Sequence, residues 1–163
     1  MACRKRNQLG VKQCVNILIM TANVNFDLNA TVDIKGGINQ IGDEDNFYIM
    51  MEKFEELSLS KNLPNFKTYY ETCDYKLFRD EAHSLKGASS YLAAGKVFCI
   101  CYKLQQAYDQ KQYEEEMSYY PQLIEEIIHL RVTMRKILSS KKGTDFMRNT
   151  ISRNSFRFWT STC

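Results

Sequence analysis

The residues of this chain best suited to chemistry surround His83, in a stretch whose apolar spacing predicts a helix over 75–92. The apolar seam of that helix runs through Ala82 and Leu85, so His83 should lie on the solvent side. An exposed imidazole can act as a nucleophile towards phosphorus. Lys86, one turn away on the same face, supplies a cation that can pair with phosphate oxygens. The pattern therefore favours phosphoryl chemistry.

Gly87 strengthens this interpretation, because a glycine inside a helix costs about 1 kcal/mol relative to alanine. Its missing side chain leaves room beside His83 for a phosphoryl group or for a partner's backbone. From helical geometry alone, Arg79, Ser84 and Ser90 are candidates for the rim on which a partner docks. Together these residues predict a site that accepts a phosphoryl group and passes it on.

The segment from Ala82 to Ser90, AHSLKGASS, resembles the His-x-Leu-Lys-Gly signature of histidine phosphotransfer domains. The similarity continues on the next predicted helix, where Leu104 and Gln105 match a leucine followed by Glu or Gln. It extends over about residues 26–138. The chain departs from the family at Ala93, where many members have glycine. The turn before the next helix is therefore expected to differ in shape.

The resemblance implies a role for each matching residue. His83 would exchange a phosphoryl group with the aspartate of a receiver domain, and Lys86 would neutralise charge on the phosphate. Gly87 would keep space open, and Gln105 would hydrogen-bond the imidazole and orient it. The implied partners are receiver domains of hybrid histidine kinases and of response regulators, which would contribute the acidic pocket and Mg²⁺. We therefore expect this chain to need no cofactor and to bind no metal.

Composition and apolar spacing together predict an all-α fold. Two prolines and seven glycines in 163 residues are too few for the frequent turns of a sandwich or barrel. Successive segments with helical spacing and short connections predict an antiparallel up-down four-helix bundle with a short extra N-terminal helix. We expect the short helix to end at Gly36–Gly37. Pro64 should stand in the first turn of its segment, and Asp74 should cap the helix that carries His83.

Charge divides the chain into three predicted parts. Residues 1–25 carry a net charge of +4, residues 26–138 a net charge of −5 and residues 139–163 a net charge of +4, which predicts a helical core between basic tails. The acidic core argues against a nucleic-acid-binding fold. No apolar run approaches the roughly 20 residues of a membrane span. We expect a cytoplasmic monomer, with nuclear entry left open.

A phosphoryl carrier has two alternatives among the classes of function, a histidine kinase and a helical adaptor. A histidine kinase would need an ATP-binding domain with Gly-rich and Asn-containing boxes, and its dimerisation helix usually has an acid where this chain has Ser84. We therefore expect a phosphoryl carrier and not an enzyme. A helical adaptor that binds receiver or kinase domains without phosphotransfer stays open, although such relatives typically lack the histidine.

Two remaining features have simpler interpretations. His129 has no Lys-Gly pair after it and is expected to be a structural or surface residue. The acids Glu114–Glu116 predict the charged first turn of a helix, where they favour the helix dipole.

Overall fold

The computed structural model describes residues 26–142, and this part of the chain is all-helical, as predicted. Its elements, in chain order, are α1 (Ile34–Ile41), α2 (Glu44–Lys53), a π-helical turn (Phe54–Leu59), α3 (Ser60–Glu71), α4 (Tyr75–Tyr91), α5 (Gly95–Asp109), α6 (Tyr113–Ser118) and α7 (Tyr120–Lys142). The predicted tail 1–25 lies outside the described residues, as does the part of 139–163 that follows α7. Within 26–142, no helix is both long and apolar enough to cross a bilayer.

Side-chain caps begin the helices where the sequence places short acids. Asp43 accepts a hydrogen bond from the backbone of Asn46 at the start of α2, and Asp74 accepts one from Leu77 at the start of α4. Each such cap contributes about 1 kcal/mol. The cap at Asp74 confirms the predicted start of the helix that carries His83.

The expectation that Gly36–Gly37 would end the first short helix is wrong. Both glycines lie buried inside α1, which ends instead at Gly42 in the left-handed conformation with φ 84°. The reason is close packing, because a Cβ atom on Gly37 would collide with the Phe47 ring of α2. Gly37 lets α1 approach α2, and Gly36 lets α1 approach Phe26 and Asp33. The sequence alone does not distinguish that use from a helix stop.

The placement of Pro64 in a first helical turn is also wrong. Helical backbone runs without a break from Glu44 to Glu71, and Pro64 is an interior residue of α3. Proline cannot donate the usual hydrogen bond to the carbonyl one turn earlier, and its ring crowds that carbonyl. The π-helical turn lies just upstream and loosens the helix there, with the Ser60 hydroxyl donating to the Glu55 carbonyl at 3.0 Å.

Side-chain contacts establish that α2 and α7 run in opposite directions. Glu55, in the π-helical turn, pairs with Arg131 and Arg135 of α7. At the other end of the same interface, Lys141 Nζ lies 2.8 Å from Glu44 Oε1. The end of α7 therefore packs against the start of α2.

One apolar core lies between these helices. Its largest fully buried side chains come from the π-helical turn, from the α4–α5 turn and from every α-helix except α1 and α6: Phe47, Met51, Leu59, Phe66, Phe78, Leu85, Leu92, Leu104, Leu123, Ile127 and Leu130. Full burial of such a side chain stabilises the folded state by roughly 1.5–3 kcal/mol. In α4 the buried positions fall along one side of the helix, and this fixes which side faces outward.

Residues 26–33 form a second small contact region, here called the N-terminal strap, which covers the α4–α5 turn. The Asp33 amide donates to the Ala93 carbonyl at 3.0 Å, and the Lys96 amide donates to the Ala30 carbonyl at 3.3 Å. A Cβ on Gly95 would collide with the strap backbone. Ala93 has φ 52°, the left-handed region that favours glycine, so the departure from the family falls at the residue that shapes this turn.

Candidate functional site

The outer face of α4 carries the residues that the sequence singles out. Phe78, Ala82 and Leu85 are buried on the inner face. The outer face exposes His83, Ser84 and Gly87, with Arg79, Lys86 and Ser90 partly exposed at its edge. His83 therefore lies on the solvent side, where helical periodicity predicted it.

Gln105 is the residue that α5 brings to this face, and it is 6% exposed. Its side-chain oxygen Oε1 lies 3.2 Å from Nδ1 of His83. The same oxygen accepts a hydrogen bond from Nζ of Lys86 at 2.8 Å. One amide oxygen thus contacts both the imidazole and the ammonium group. The resemblance implied only its contact with the imidazole.

The contact with Lys86 determines the protonation pattern of the imidazole. An ammonium group donates hydrogen bonds and accepts none, so the Gln105 atom facing Nζ is the oxygen and not the amide nitrogen. Nδ1 of His83 faces that oxygen and must carry the proton to bond with it. In the neutral ring the second nitrogen, Nε2, then keeps its lone pair. Nε2 is therefore the ring nitrogen whose lone pair is free.

This orientation leaves the amide nitrogen of Gln105 without a hydrogen bond in the described chain. Nε2 of Gln105 is buried and has no hydrogen-bond partner among the residues that the structure describes. A buried donor without a partner costs about 1–3 kcal/mol. A glutamine whose only task was stability would be a poor choice at this position. The cost is consistent with an amide whose oxygen is needed by His83 and Lys86.

Lys86 lies in a partly desolvated position between α4 and α5. Burial lowers the pKa of its ammonium group, and repulsion from Arg79 adds to this, while Asp109 acts in the opposite direction. The ammonium lies 5.7 Å from the ring centroid of Tyr102. An ammonium with few water molecules around it interacts strongly with an anion that reaches it.

Gly87 differs from the other helical glycines of the described chain. A Cβ built on it would meet nothing within 4 Å, whereas one built on Gly37 or Gly95 would collide with neighbouring residues. No packing within residues 26–142 therefore requires glycine at 87. The backbone at Gly87 therefore borders open space beside His83 that no described residue fills.

The predicted rim residues have different surroundings. Arg79 is tied to the end of α5, with its guanidinium 3.8 Å from Asp109 and 3.3 Å from Asp80. Ser84 is exposed and Ser90 partly exposed, so both are accessible. Arg79 joins two helices and is not a freely extended cation.

Sequence reasoning did not single out Tyr91, which is 58% exposed near the end of α4. It stands eight residues after His83, and at 100° per residue the two side chains are separated by about 80° around the helix. That spacing could have identified it, but an aromatic residue in a helix is usually buried, and its exposure became visible only in the structure. His129 is exposed on α7, and its Nδ1 lies 3.9 Å from Glu126 Oε2.

The acids Glu114–Glu116 stand in the first turn of α6, as predicted, but Glu116 differs from the other two in its burial. It is fully buried in α6, and neither carboxyl oxygen has a hydrogen-bond partner in the described residues. Burial raises the pKa of Glu116 from 4.5 to about 8, with Asp109 adding to the rise and Arg79 opposing it. At neutral pH this carboxyl group is therefore largely protonated beneath the Arg79–Asp109 pair.

No group of three or more His, Cys, Asp or Glu side chains within residues 26–142 is arranged to hold a metal ion.

Replacing Glu116 with glutamine is expected to stabilise the fold increasingly as pH rises. The pKa of Glu116 is higher in the folded protein than in the unfolded chain, so folding takes up a proton between pH 4.5 and 8. The free energy of unfolding therefore falls as pH rises through that window. Glu116→Gln removes this loss, and we expect a gain of about 4 kcal/mol at pH 8 and less than about 1 kcal/mol at pH 5. Urea unfolding at several pH values measures it.

Glu114→Gln is the matched control, because Glu114 is exposed on the same helix. Its effect should not grow with pH. A Glu116→Gln effect that is equal at pH 5 and pH 8 would contradict the account of this carboxyl group.

No protein-family model, no curated protein and no solved structure matches this chain.

Proposed function

We propose that this protein is a histidine-containing phosphotransfer intermediate, built on an antiparallel up-down four-helix bundle with a short extra N-terminal helix. His83 accepts a phosphoryl group from the aspartate of one receiver domain and passes it to another. The observation that carries the proposal is the position of Gln105 Oε1, which is 3.2 Å from Nδ1 of His83 and 2.8 Å from Nζ of Lys86. This contact leaves Nε2 of His83 as the nucleophile beside a cation.

The proposed transfer needs no proton movement on this chain. The Nε2 lone pair forms the N–P bond while the P–O bond to the donor aspartate breaks, and the aspartate leaves as a carboxylate. Nδ1 keeps its proton, so the ring becomes a cation while the phosphoryl group is attached. Gln105 Oε1 then accepts a charge-assisted hydrogen bond, which is stronger than the one in the resting state. Transfer to the next receiver reverses these steps.

Lys86 can serve the phosphoryl group without leaving Gln105. An ammonium group has three N–H donors, and one of them is used by Gln105 Oε1. The other two are available for phosphoryl oxygens, where the charge is concentrated in the transition state. Lys86 would therefore stabilise the group in transit while the amide holds it near His83.

Receiver domains fit this face as partners because of its charge and its open backbone. Lys86 is a cation on the His83 side of α4, where Arg79 is already paired with Asp80 and Asp109, and a receiver would bring the acidic pocket and its Mg²⁺. Gly87 would let the partner's backbone approach His83, and Ser84 and Ser90 would contribute to the rim. In this proposal the protein is a carrier without a kinase domain, monomeric and cytoplasmic with nuclear entry open, and its partners are neither nucleic acid nor membrane.

Phosphotransfer from a phosphorylated receiver domain is the direct test of the proposal. We expect the purified protein to become labelled, with a modification that is acid-labile and base-stable, as expected for a phosphorus–nitrogen bond. His83→Gln should abolish labelling because it removes Nε2. His129→Gln is the matched control and should label as the wild type does.

The adaptor alternative predicts a different result in the same assay. If the folded wild-type protein binds receivers but none of several phosphorylated receivers labels it, the chain is a binding module and the carrier proposal is wrong.

Gly87→Ala separates docking from folding. Alanine should stabilise α4 by up to about 1 kcal/mol, since its Cβ meets nothing in the described chain. The same methyl group stands where a partner would approach, so we expect the transfer rate to fall about tenfold, the effect of roughly 1.4 kcal/mol of lost interaction. Gly87→Leu should reduce the rate further. Thermal unfolding and transfer rates measure the two effects, and an unchanged rate in both variants would contradict the role given to Gly87.

A further inference from the structure

We infer that Tyr102 is a positioning residue of this site, which holds the Lys86 ammonium where it can meet a phosphoryl group on His83. The inference rests on the proposed function and adds to it a residue that the His-x-Leu-Lys-Gly pattern does not contain. It also makes the N-terminal strap, residues 26–33, part of the support of the site.

Two contacts determine where the Lys86 ammonium lies. On one side Nζ donates to Gln105 Oε1 at 2.8 Å, and on the other it lies 5.7 Å from the centroid of the Tyr102 ring. A ring face attracts a cation at this distance, most strongly where water is partly excluded. A single hydrogen bond would leave the long lysine chain several rotamers, whereas the ring restricts them.

Tyr102 is itself held from two directions. Its hydroxyl accepts a hydrogen bond from Nε2 of Gln106 at 3.0 Å. Its ring packs against a small apolar cluster at the strap, whose buried members are Phe26, Leu28, Ala93, Phe98 and Cys99. Because tyrosine has few rotatable bonds, a ring fixed at both ends is a rigid support for a flexible lysine.

The strap keeps this cluster closed. The Phe26 ring meets the Phe98 ring edge-on, with centroids 5.9 Å apart. Gly95 lets the strap backbone lie directly against the start of α5. The contacts therefore form one continuous series from the strap through Tyr102 to Lys86 and Gln105.

The test combines Tyr102→Leu and Tyr102→Phe with Lys86→Ala, measuring phosphotransfer from a phosphorylated receiver. We expect Tyr102→Leu to slow transfer about three- to tenfold and Tyr102→Phe, which keeps the ring, to stay within about twofold of the wild type. In a Lys86→Ala background, Tyr102→Leu should have no further effect, because the residue acts through Lys86. An equal loss with and without Lys86 would indicate a merely structural role and would overturn the inference.

Tyr48→Leu is the matched control. Lys141 lies 4.9 Å from the Tyr48 ring centroid, a similar cation–ring contact at the end of α7. Removing that ring should leave the transfer rate unchanged. If Tyr48→Leu slows transfer as much as Tyr102→Leu does, loss of a ring in general is the cause and the inference is wrong.

A second measurement does not depend on transfer activity. The Lys86 side-chain protons should be shifted upfield by the ring current in the proton NMR spectra of the wild type and Tyr102→Phe, and this shift should be lost in Tyr102→Leu. Its absence in the wild type overturns the inference. If the shift is present but no receiver labels the protein, the proposed function fails while the positioning contact itself stands.

Discussion

A single buried amide oxygen, Oε1 of Gln105, is the acceptor on which the rest of the site depends. It accepts hydrogen bonds from two different groups, His83 Nδ1 and Lys86 Nζ. These bonds fix the tautomer of the imidazole and the position of the ammonium group. An oxygen that accepts two hydrogen bonds is well satisfied, but the nitrogen of the same amide has no partner in the described chain. The fold therefore accepts an energetic cost at Gln105, where one amide oxygen contacts both His83 and Lys86.

The architecture makes this contact possible because α4 and α5 are long, antiparallel and closely packed. Their joining turn contains Ala93 in the left-handed conformation and is covered by the N-terminal strap. The opposite end of the pair is joined by Arg79 and Asp109. With both ends held, the middle of the pair, where His83 and Gln105 meet, has a defined register. Pre-set geometry of this kind reduces the reorganisation that a transfer reaction would require.

Local sequence signals predicted the parts of the structure that depend on neighbours along the chain. The periodicity of α4 gave the outward face of His83, and Asp74 gave its start. The sequence could not predict effects of distant packing. Gly36 and Gly37 looked like a helix stop because their contacts with other parts of the chain were not visible. The burial of Glu116 was not visible for the same reason.

Only part of the site could be predicted from the sequence. The resemblance to phosphotransfer domains pointed to Gln105 as a partner of the imidazole. It gave no indication that Lys86 shares the same oxygen, or that Tyr102 lies beside that lysine. Both contacts depend on the register between α4 and α5, which the spacing of apolar residues does not determine to within one hydrogen bond.

The most direct test of the central claim is nitrogen-15 NMR of the His83 ring in the unphosphorylated protein. At a pH where the ring is neutral, the account predicts a protonated Nδ1 and an Nε2 with a free lone pair, and Gln105→Leu should abolish this preference. A neutral ring protonated at Nε2 in the wild type, or a tautomer that Gln105→Leu leaves unchanged, would contradict it.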